Sequence, residues 1–123
     1  MNLGFVILYV DDVAKMKAFY SDTLGIPVMQ QFDGPTFVAL QPSAGSILAL
    51  QDKTTAELPA GQAIHPSGVE VSFEVADVDG LCQQWQAKGV QVVTAPIDMP
   101  FGRYFKAKDP EGHYVSAYRL PQR

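Results

Sequence analysis

The sequence predicts a single α+β domain built from two tandem β-α-β-β-β units. The first observation is a repeat: the apolar run 5–10 matches the run 70–75 when the sequence is shifted by 70 − 5 = 65 residues. The second is that an aspartate cap, a helical apolar spacing and a glycine stop follow each run in the same order. The third is that strand-like runs follow each glycine. Chance rarely reproduces strand, cap, helix and stop in one order, so the repeat predicts the fold class.

The first unit, residues 1–52, opens with a predicted strand over 5–10, whose side chains are apolar and partly β-branched. Asp11 and Asp12 offer a helix N-cap. Apolar residues then recur at helical spacing as far as Gly25, a residue type that favours the left-handed geometry of a helix end. Three further strands are predicted over 26–32, 36–41 and 46–51, separated by turn sequences that contain Gly and Pro.

The second unit, residues 68–123, repeats this plan after a predicted linker over 53–67. Its helix is capped by Asp77, runs to Lys88 and stops at Gly89. Its strands are predicted over 70–75, 91–94, 103–108 and 114–120. An apolar loop over 96–101 is predicted either to close over a ligand or to be buried in a partner subunit. Both units together predict one domain over residues 1–123.

Composition excludes several classes of function. Of the 123 residues, 47% are hydrophobic and 18% are charged, which is the balance of a folded protein. The net charge of −4, with no Lys/Arg run, argues against nucleic acid or an anionic membrane as the partner. Cys82 is the only cysteine, so no intramolecular disulfide and no cysteine cluster for zinc can form. Neither a signal peptide nor a membrane span is visible, which predicts a cytoplasmic protein.

Three segments resemble the vicinal oxygen chelate superfamily, which holds glyoxalase I, extradiol dioxygenases and bleomycin-resistance proteins. They are the opening run 5–12 with Phe19-Tyr20 and Leu24-Gly25, the run 69–75, and the closing segment 103–112 with its Asp-Pro-Glu-Gly turn. The resemblance covers nearly the whole chain. It implies a U-shaped, mixed, mostly antiparallel sheet around a cleft, with helices on the outside, in a homodimer.

The resemblance also implies where a divalent metal would be held, and here the sequence departs from the family. The four ligand positions fall on Phe5, Ala49, Glu70 and Ser116. Phenylalanine and alanine cannot ligate a metal and serine is a poor ligand, whereas a catalytic metal generally needs about three protein ligands. The prediction is therefore a metal-free, bleomycin-resistance-like member without a cofactor. We interpret the two histidines, His65 and His113, as exposed loop residues rather than a relocated metal site.

Strand alternation sorts the side chains between the helix side and the cleft side of each strand. Val6, Leu8, Val10, Val71, Phe73, Val75, Leu48, Leu50, Val115 and Ala117 are predicted to pack inward. The predicted ligand-binding residues are Phe5, Tyr9, Ala49, Glu70, Ser72, Glu74, Tyr114, Ser116 and Tyr118. Arg103 is added at the cleft edge because it resembles the Arg-x-Phe strand of drug-binding members. At the cleft edge, the Arg103 side chain is expected either to contact an anionic part of a ligand or to pair with Asp98.

Three functional hypotheses follow. The leading one is a metal-independent, non-catalytic protein that holds an aromatic or cationic small molecule in an acidic, aromatic cleft. The alternative is an enzyme of the same superfamily, a lyase or isomerase that uses Glu70 as general base, with or without a divalent metal. The third is a scaffold or regulatory module whose cleft binds no ligand.

Overall fold

The computed structural model describes residues 5–54, 69–100 and 102–121. These residues belong to two compact units, one before and one after the segment 55–68. Almost all of the predicted linker over 53–67 lies outside the described residues, as does His65. Within the residues described, no helix is long and apolar enough to cross a membrane.

The first unit is one four-stranded sheet with a helical segment after its first strand. Its elements are β1 (Val6–Val10), α1 (Val13–Lys17), a π-helical turn (Ala18–Thr23), β2 (Val28–Asp33), β3 (Phe37–Ser43) and β4 (Ser46–Asp52). The strand order is β1-β4-β3-β2. Strands β1 and β4 are parallel, and the other two pairings are antiparallel. The unit therefore has the β-α-β-β-β plan that the sequence predicts.

The π-helical turn explains a one-residue difference between the repeats. From Val6 to Gly25 the chain advances 25 − 6 = 19 residues, whereas from Val71 to Gly89 it advances 89 − 71 = 18. A π turn accommodates one extra residue within a helix, and here the Leu24 N–H donates to the carbonyl five residues earlier, at 3.0 Å. The predicted end of the helix at Gly25 is confirmed, with φ 81° at that glycine.

The second unit repeats the topology of the first. Its elements are β5 (Glu70–Glu74), α2 (Val78–Ala87), β6 (Gln91–Met99), β7 (Gly102–Lys108) and β8 (Tyr114–Arg119). The strand order is β5-β8-β7-β6, with β5 parallel to β8. Asp77 caps α2 by accepting a hydrogen bond from the Gly80 N–H at 2.9 Å, as Asp12 caps α1 through the Lys15 N–H at 3.0 Å. The α+β fold class with two β-α-β-β-β units is thus confirmed.

Strand β6 is longer than the sequence predicts. The predicted loop over 96–101 is wrong for residues 96–99, because β6 runs on to Met99 and pairs with β7. Pro96 does not end the strand because β6 is the outer strand of this sheet, and the register with β7 shifts between Thr94 and Ile97. An outer strand needs hydrogen bonds on one side only, so a residue without an N–H is tolerated there. Phe101 lies outside the described residues.

The core of each unit lies between its helix and one face of its sheet. Leu8, Val10, Leu48, Leu50, Val115 and Ala117 are buried as predicted. The prediction is wrong for Val6, which is exposed at the first position of β1, and Val71, Phe73 and Val75 are only half-buried. In the second unit α2 packs on β6, β7 and β8, while β5 is the outer strand on the other side. The Trp85 ring meets Phe105 edge-on, with centroids 5.2 Å apart.

Candidate functional site

On strands β5, β8 and β7, the face of the second sheet that α2 does not cover carries nine polar or aromatic side chains in three rows. Cross-strand partners in a sheet point to the same side, and neighbouring strands lie about 5 Å apart. From β5 through β8 to β7, the rows are Glu70–Tyr114–Lys108, Ser72–Ser116–Lys106 and Glu74–Tyr118–Tyr104. We call these nine residues the polar face. The six of them predicted from the β5 and β8 alternation are brought together by this register.

The centre of the polar face is a hydrogen-bonded group around Ser116. The Ser116 Oγ lies 2.8 Å from Glu70 Oε2 and 2.8 Å from Ser72 Oγ. Ser116 is the donor in both contacts, and because a hydroxyl has one proton, the Glu70 carboxylate and the Ser72 hydroxyl share it as acceptors. Ser116 has no exposed surface. These hydrogen bonds hold the Glu70 carboxylate over the middle row.

Lys106 supplies a positive charge to the same group. Its Nζ lies 3.2 Å from Glu70 Oε1 and 4.9 Å from the centroid of the Tyr114 ring. Lys108 also approaches that ring, with its Nζ 5.4 Å from the centroid. A hydrogen bond with Tyr104, followed by the one with Glu70, raises the pKa of Lys106 above its ordinary value. The ammonium form is thus the stable one in this site.

The sequence interpretation missed all three β7 members of the polar face, Tyr104, Lys106 and Lys108. Strand alternation in the sequence could have found them. If Phe105 points inward, its neighbours Tyr104 and Lys106 point to the opposite side of the strand. Their presence changes the electrostatics. The face predicted to be acidic carries two carboxylates and two ammonium groups, with the pair at its centre in contact.

Three predicted ligand-binding residues belong to the first unit. Phe5 precedes β1 and is exposed, whereas Tyr9 is half-buried and registers with Gln51 of β4. Ala49 is fully buried and lies opposite Ile7. A ligand-binding role for these three stays a prediction.

Arg103 lies on the other side of β7 from the polar face. Its Nη2 and Nε bind the two Asp79 carboxylate oxygens at 2.8 and 3.0 Å, and its Nη1 binds Asp98 at 3.1 Å. The predicted pair with Asp98 is therefore present, and the bidentate partner on α2 is an addition. The hydrogen bond from Arg103 lowers the pKa of Asp79, and both carboxylates raise the pKa of the guanidinium. Arg103 thus links α2 to the β6–β7 hairpin through hydrogen bonds.

His113 is buried, so its interpretation as an exposed loop residue is wrong. Its Nδ1 lies 2.7 Å from Asp109 Oδ2. The other oxygen of that carboxylate accepts the backbone N–H groups of Glu111 and His113, at 2.9 Å each. The turn between β7 and β8 closes on the aspartate, and this closure carries the imidazole inward. Sequence spacing showed the turn but not the direction of the histidine.

The residues at the four family metal positions do not fit a divalent ion. Two of them, Phe5 and Ala49, offer only carbon atoms. The Ser116 hydroxyl is engaged with a carboxylate, and both oxygens of Glu70 already have partners, one of them an ammonium. Within residues 5–54, 69–100 and 102–121, no group of three or more His, Cys, Asp or Glu side chains is placed to hold a metal. One carboxylate falls short of the ligand set that a catalytic metal needs.

Comparison with known proteins identifies the family. Residues 2–116 match the family model of the Glyoxalase/Bleomycin resistance protein/Dioxygenase superfamily. The chain belongs to this superfamily, in agreement with the paired β-α-β-β-β units.

Three relatives show how widely the fold is used. TnmS3, an antibiotic binding protein from Streptomyces sp. CB03234, is 25% identical, with a TM-score of 0.80 over 98% of this chain and 97% of its own. Protein ATC0852 from Agrobacterium tumefaciens is 30% identical, with a TM-score of 0.82 over 99% of both chains. The anthracycline biosynthesis protein DauV of Streptomyces sp. (strain C5) is 28% identical over 97% of this chain, which spans 42% of DauV.

Proposed function

We propose that this chain is a metal-independent small-molecule binding protein of the bleomycin-resistance type, which holds a planar aromatic ligand on the polar face. The observation that carries the proposal is the arrangement of tyrosines around the hydrogen-bonded centre. Tyr114 and Tyr118 stand on β8 on either side of Ser116, and Tyr104 lies opposite Tyr118 on β7. Aromatic side chains bind flat ligands by stacking and edge contacts while their hydroxyls bond to polar substituents.

The spacing of the tyrosines suits a fused ring system. Tyr114 and Tyr118 are four residues apart on one strand, which at about 3.3 Å per residue separates them by ~13 Å. Ser116 between them has no exposed surface, so the groups presented between the two tyrosines are those of Glu70 and Lys106. A flat ligand lying over this row would touch both tyrosines and the polar atoms below it.

Two relatives support the choice of ligand class. TnmS3 is an antibiotic binding protein, and DauV takes part in the biosynthesis of anthracyclines, which are fused aromatic compounds. Extending their ligand chemistry to this chain is part of the proposal. The resemblance further leads us to propose a homodimer, which light scattering measures directly.

The enzyme alternative requires Glu70 to take a proton from a bound substrate. Lys106 and Ser116 already contact one oxygen each of that carboxylate, an arrangement that holds it in place. We therefore rank the enzyme alternative second. One experiment distinguishes the enzyme hypothesis from non-catalytic binding. A bound ligand is recovered unchanged, whereas a substrate is converted in a reaction that Glu70→Gln abolishes.

The test is titration with anthracene methanol, a fluorescent, flat and uncharged probe, in buffer with and without a chelator. We expect saturable binding that the chelator leaves unchanged, and recovery of the probe intact by mass spectrometry. Tyr114→Ala and Tyr118→Ala should each weaken binding roughly tenfold, since stacking contacts of this kind are worth ~1 kcal/mol or more. Phe32→Ala, which removes an exposed ring of the first unit, is the matched control. Binding that ignores both tyrosine variants contradicts the proposed site, and absence of binding favours the scaffold hypothesis.

A further inference from the structure

We infer that the ligand presents an oxygen acceptor, such as a carboxylate, a phenolate or a carbonyl oxygen, to the ammonium group of Lys106. This inference rests on the proposed function and names the chemistry that the polar face recognises. It also reverses the expectation from sequence, in which two glutamates favoured a cationic ligand.

The charge of the Glu70 carboxylate is already paired with a lysine of this chain. Its Oε1 lies 3.2 Å from Lys106 Nζ, and its Oε2 accepts the Ser116 hydroxyl at 2.8 Å. A cationic ligand would have to compete with an ammonium that is fixed in the same sheet. Because the Lys106 ammonium belongs to the same chain, its effective concentration at the Glu70 carboxylate is higher than that of a free cation.

Lys106, by contrast, retains donor capacity. A protonated lysine has three N–H donors, and Glu70 and Tyr104 account for two of them. Its side chain is 27% exposed and that of Glu70 is 35% exposed, so a ligand can reach the pair. An oxygen acceptor on the ligand satisfies the third donor without displacing either partner.

Lys108 strengthens the same preference. Both lysine ammonium groups approach the Tyr114 ring, at 4.9 and 5.4 Å from its centroid. Two positive charges therefore lie over the Tyr114 ring, the carboxylate that contacts Lys106, Glu70, is compensated by it, and the second carboxylate of the face, Glu74, stands in the third row opposite Tyr118. A ligand that carries negative charge close to its ring system meets a favourable potential here.

The protonation state supports this arrangement across the useful pH range. The pKa of Lys106 is raised in the folded protein by Tyr104 and Glu70, so the ammonium persists at neutral and mildly alkaline pH. Binding of an anionic group should accordingly be constant from pH 6 to pH 9 and should fall only as the pH rises towards the lysine pKa. The control is the uncharged probe, which carries no negative charge for the ammonium to attract.

The experiment compares three probes with one ring system: anthracene carboxylate, anthracene methanol and anthracene methylammonium. We expect the carboxylate to bind roughly tenfold or more tighter than the methylammonium compound, the range of one charge-assisted hydrogen bond. Lys106→Met should abolish this preference, weakening the carboxylate and strengthening the cation because Glu70 is then uncompensated. Lys106→Arg should keep the preference. Lys15→Met, which removes an exposed lysine of α1, is the control for net charge.

The possible outcomes distinguish failure of this inference from failure of the proposed function. If the cation binds as well as the carboxylate, or if Lys106→Met leaves their ratio unchanged, the inference is overturned while aromatic binding stands. If none of the three probes binds, the proposed function and the inference both fail. If Lys106→Met unfolds the protein, Glu70→Gln provides the second test. It retains the lysine and should raise the ratio of carboxylate to cation affinity, and an unchanged or lower ratio overturns the inference.

Discussion

The ammonium of Lys106 on β7 reaches across β8 to the carboxylate of Glu70 on β5, with 3.2 Å between Nζ and Oε1. Ser116 of the intervening strand donates to the other oxygen of the same carboxylate at 2.8 Å. Three strands therefore contribute to one small polar group. Of the four family metal positions, the one that holds a carboxylate, Glu70, is therefore part of an internal ion pair with Lys106, the only positive charge that the salt bridges of the described residues place on it.

The Ser116 hydroxyl should contribute measurably to stability. Ser116→Ala removes the hydrogen bond to Glu70 at a position with no exposed surface, which should lower the free energy of unfolding by about 1 kcal/mol. Urea denaturation measures this change. Ser43→Ala is the control, because its hydroxyl bonds to Ser46 at the surface, and its effect should be below ~0.5 kcal/mol. Equal losses in the two variants would show that burial of the polar group is unimportant.

The Trp85–Phe105 contact is the apolar centre of the second unit. Phe105 is fully buried beneath α2, so Phe105→Ala should cost about 3–5 kcal/mol, as truncation of a buried aromatic ring generally does. Phe105→Leu, which leaves a smaller cavity, should cost less, and it keeps the measurement possible if the alanine variant does not fold. Phe32→Ala at an exposed ring should change stability by less than ~1 kcal/mol. A small effect at Phe105 would contradict the assigned core.

Gly80 and Asp77 should be energetically coupled. Replacing a helical glycine with alanine usually stabilises a helix by about 1 kcal/mol. Here the new Cβ would lie 2.8 Å from Asp77 Cγ, so the capping carboxylate would have to leave the Gly80 N–H. Loss of a cap costs ~1 kcal/mol, so Gly80→Ala alone should be close to neutral.

The same substitution should become stabilising once the cap is removed. In the Asp77→Ala background, Gly80→Ala should raise the unfolding free energy by roughly 0.5–1 kcal/mol. A double-mutant cycle in urea measures the coupling. If Gly80→Ala is equally stabilising in both backgrounds, the cap does not limit this position.

The Arg103–Asp79 pair should make stability depend on pH at the acid end. The pKa of Asp79 is lowered below its ordinary value of 3.8 in the folded state by the bidentate hydrogen bond from Arg103. A depressed pKa gives stability that is present above the unfolded value and is lost as the pH falls through the folded value. The difference in unfolding free energy between the wild type and Asp79→Asn should thus be constant above about pH 5 and shrink below pH 4.

A second background separates this pair from general acid effects. In Arg103→Gln, Asp79→Asn should change the acid-side profile much less, because the largest cause of the lowered Asp79 pKa is gone and only the charge of Arg119 and a backbone hydrogen bond still lower it. Added salt should also weaken the pair in the wild type, since Asp79 is half exposed. An acid-side difference of unchanged size in Arg103→Gln would contradict the assignment.

Much of the fold was accessible from local patterns. Asp12 and Asp77 cap helices where the sequence placed them, because an N-cap depends only on a side chain and the two or three residues after it. The inward and outward sets on β8 were also predicted correctly, since strand alternation is a local rule and Val115 and Ala117 are apolar. The extra residue between Val6 and Gly25 was visible as a shift in the repeat, although its form, a π turn, was not.

Contacts across strands depend on register, and register is set by long-range packing that no local pattern contains. Nothing between residues 70 and 106 indicates that Glu70 and Lys106 meet over a third strand. The direction of His113 was likewise decided by closure of its turn on Asp109. Sequence patterns therefore specified the elements and the sides on which their residues face. The tertiary structure alone decided which charges are paired, and so turned a face that looked acidic into one that offers a lysine.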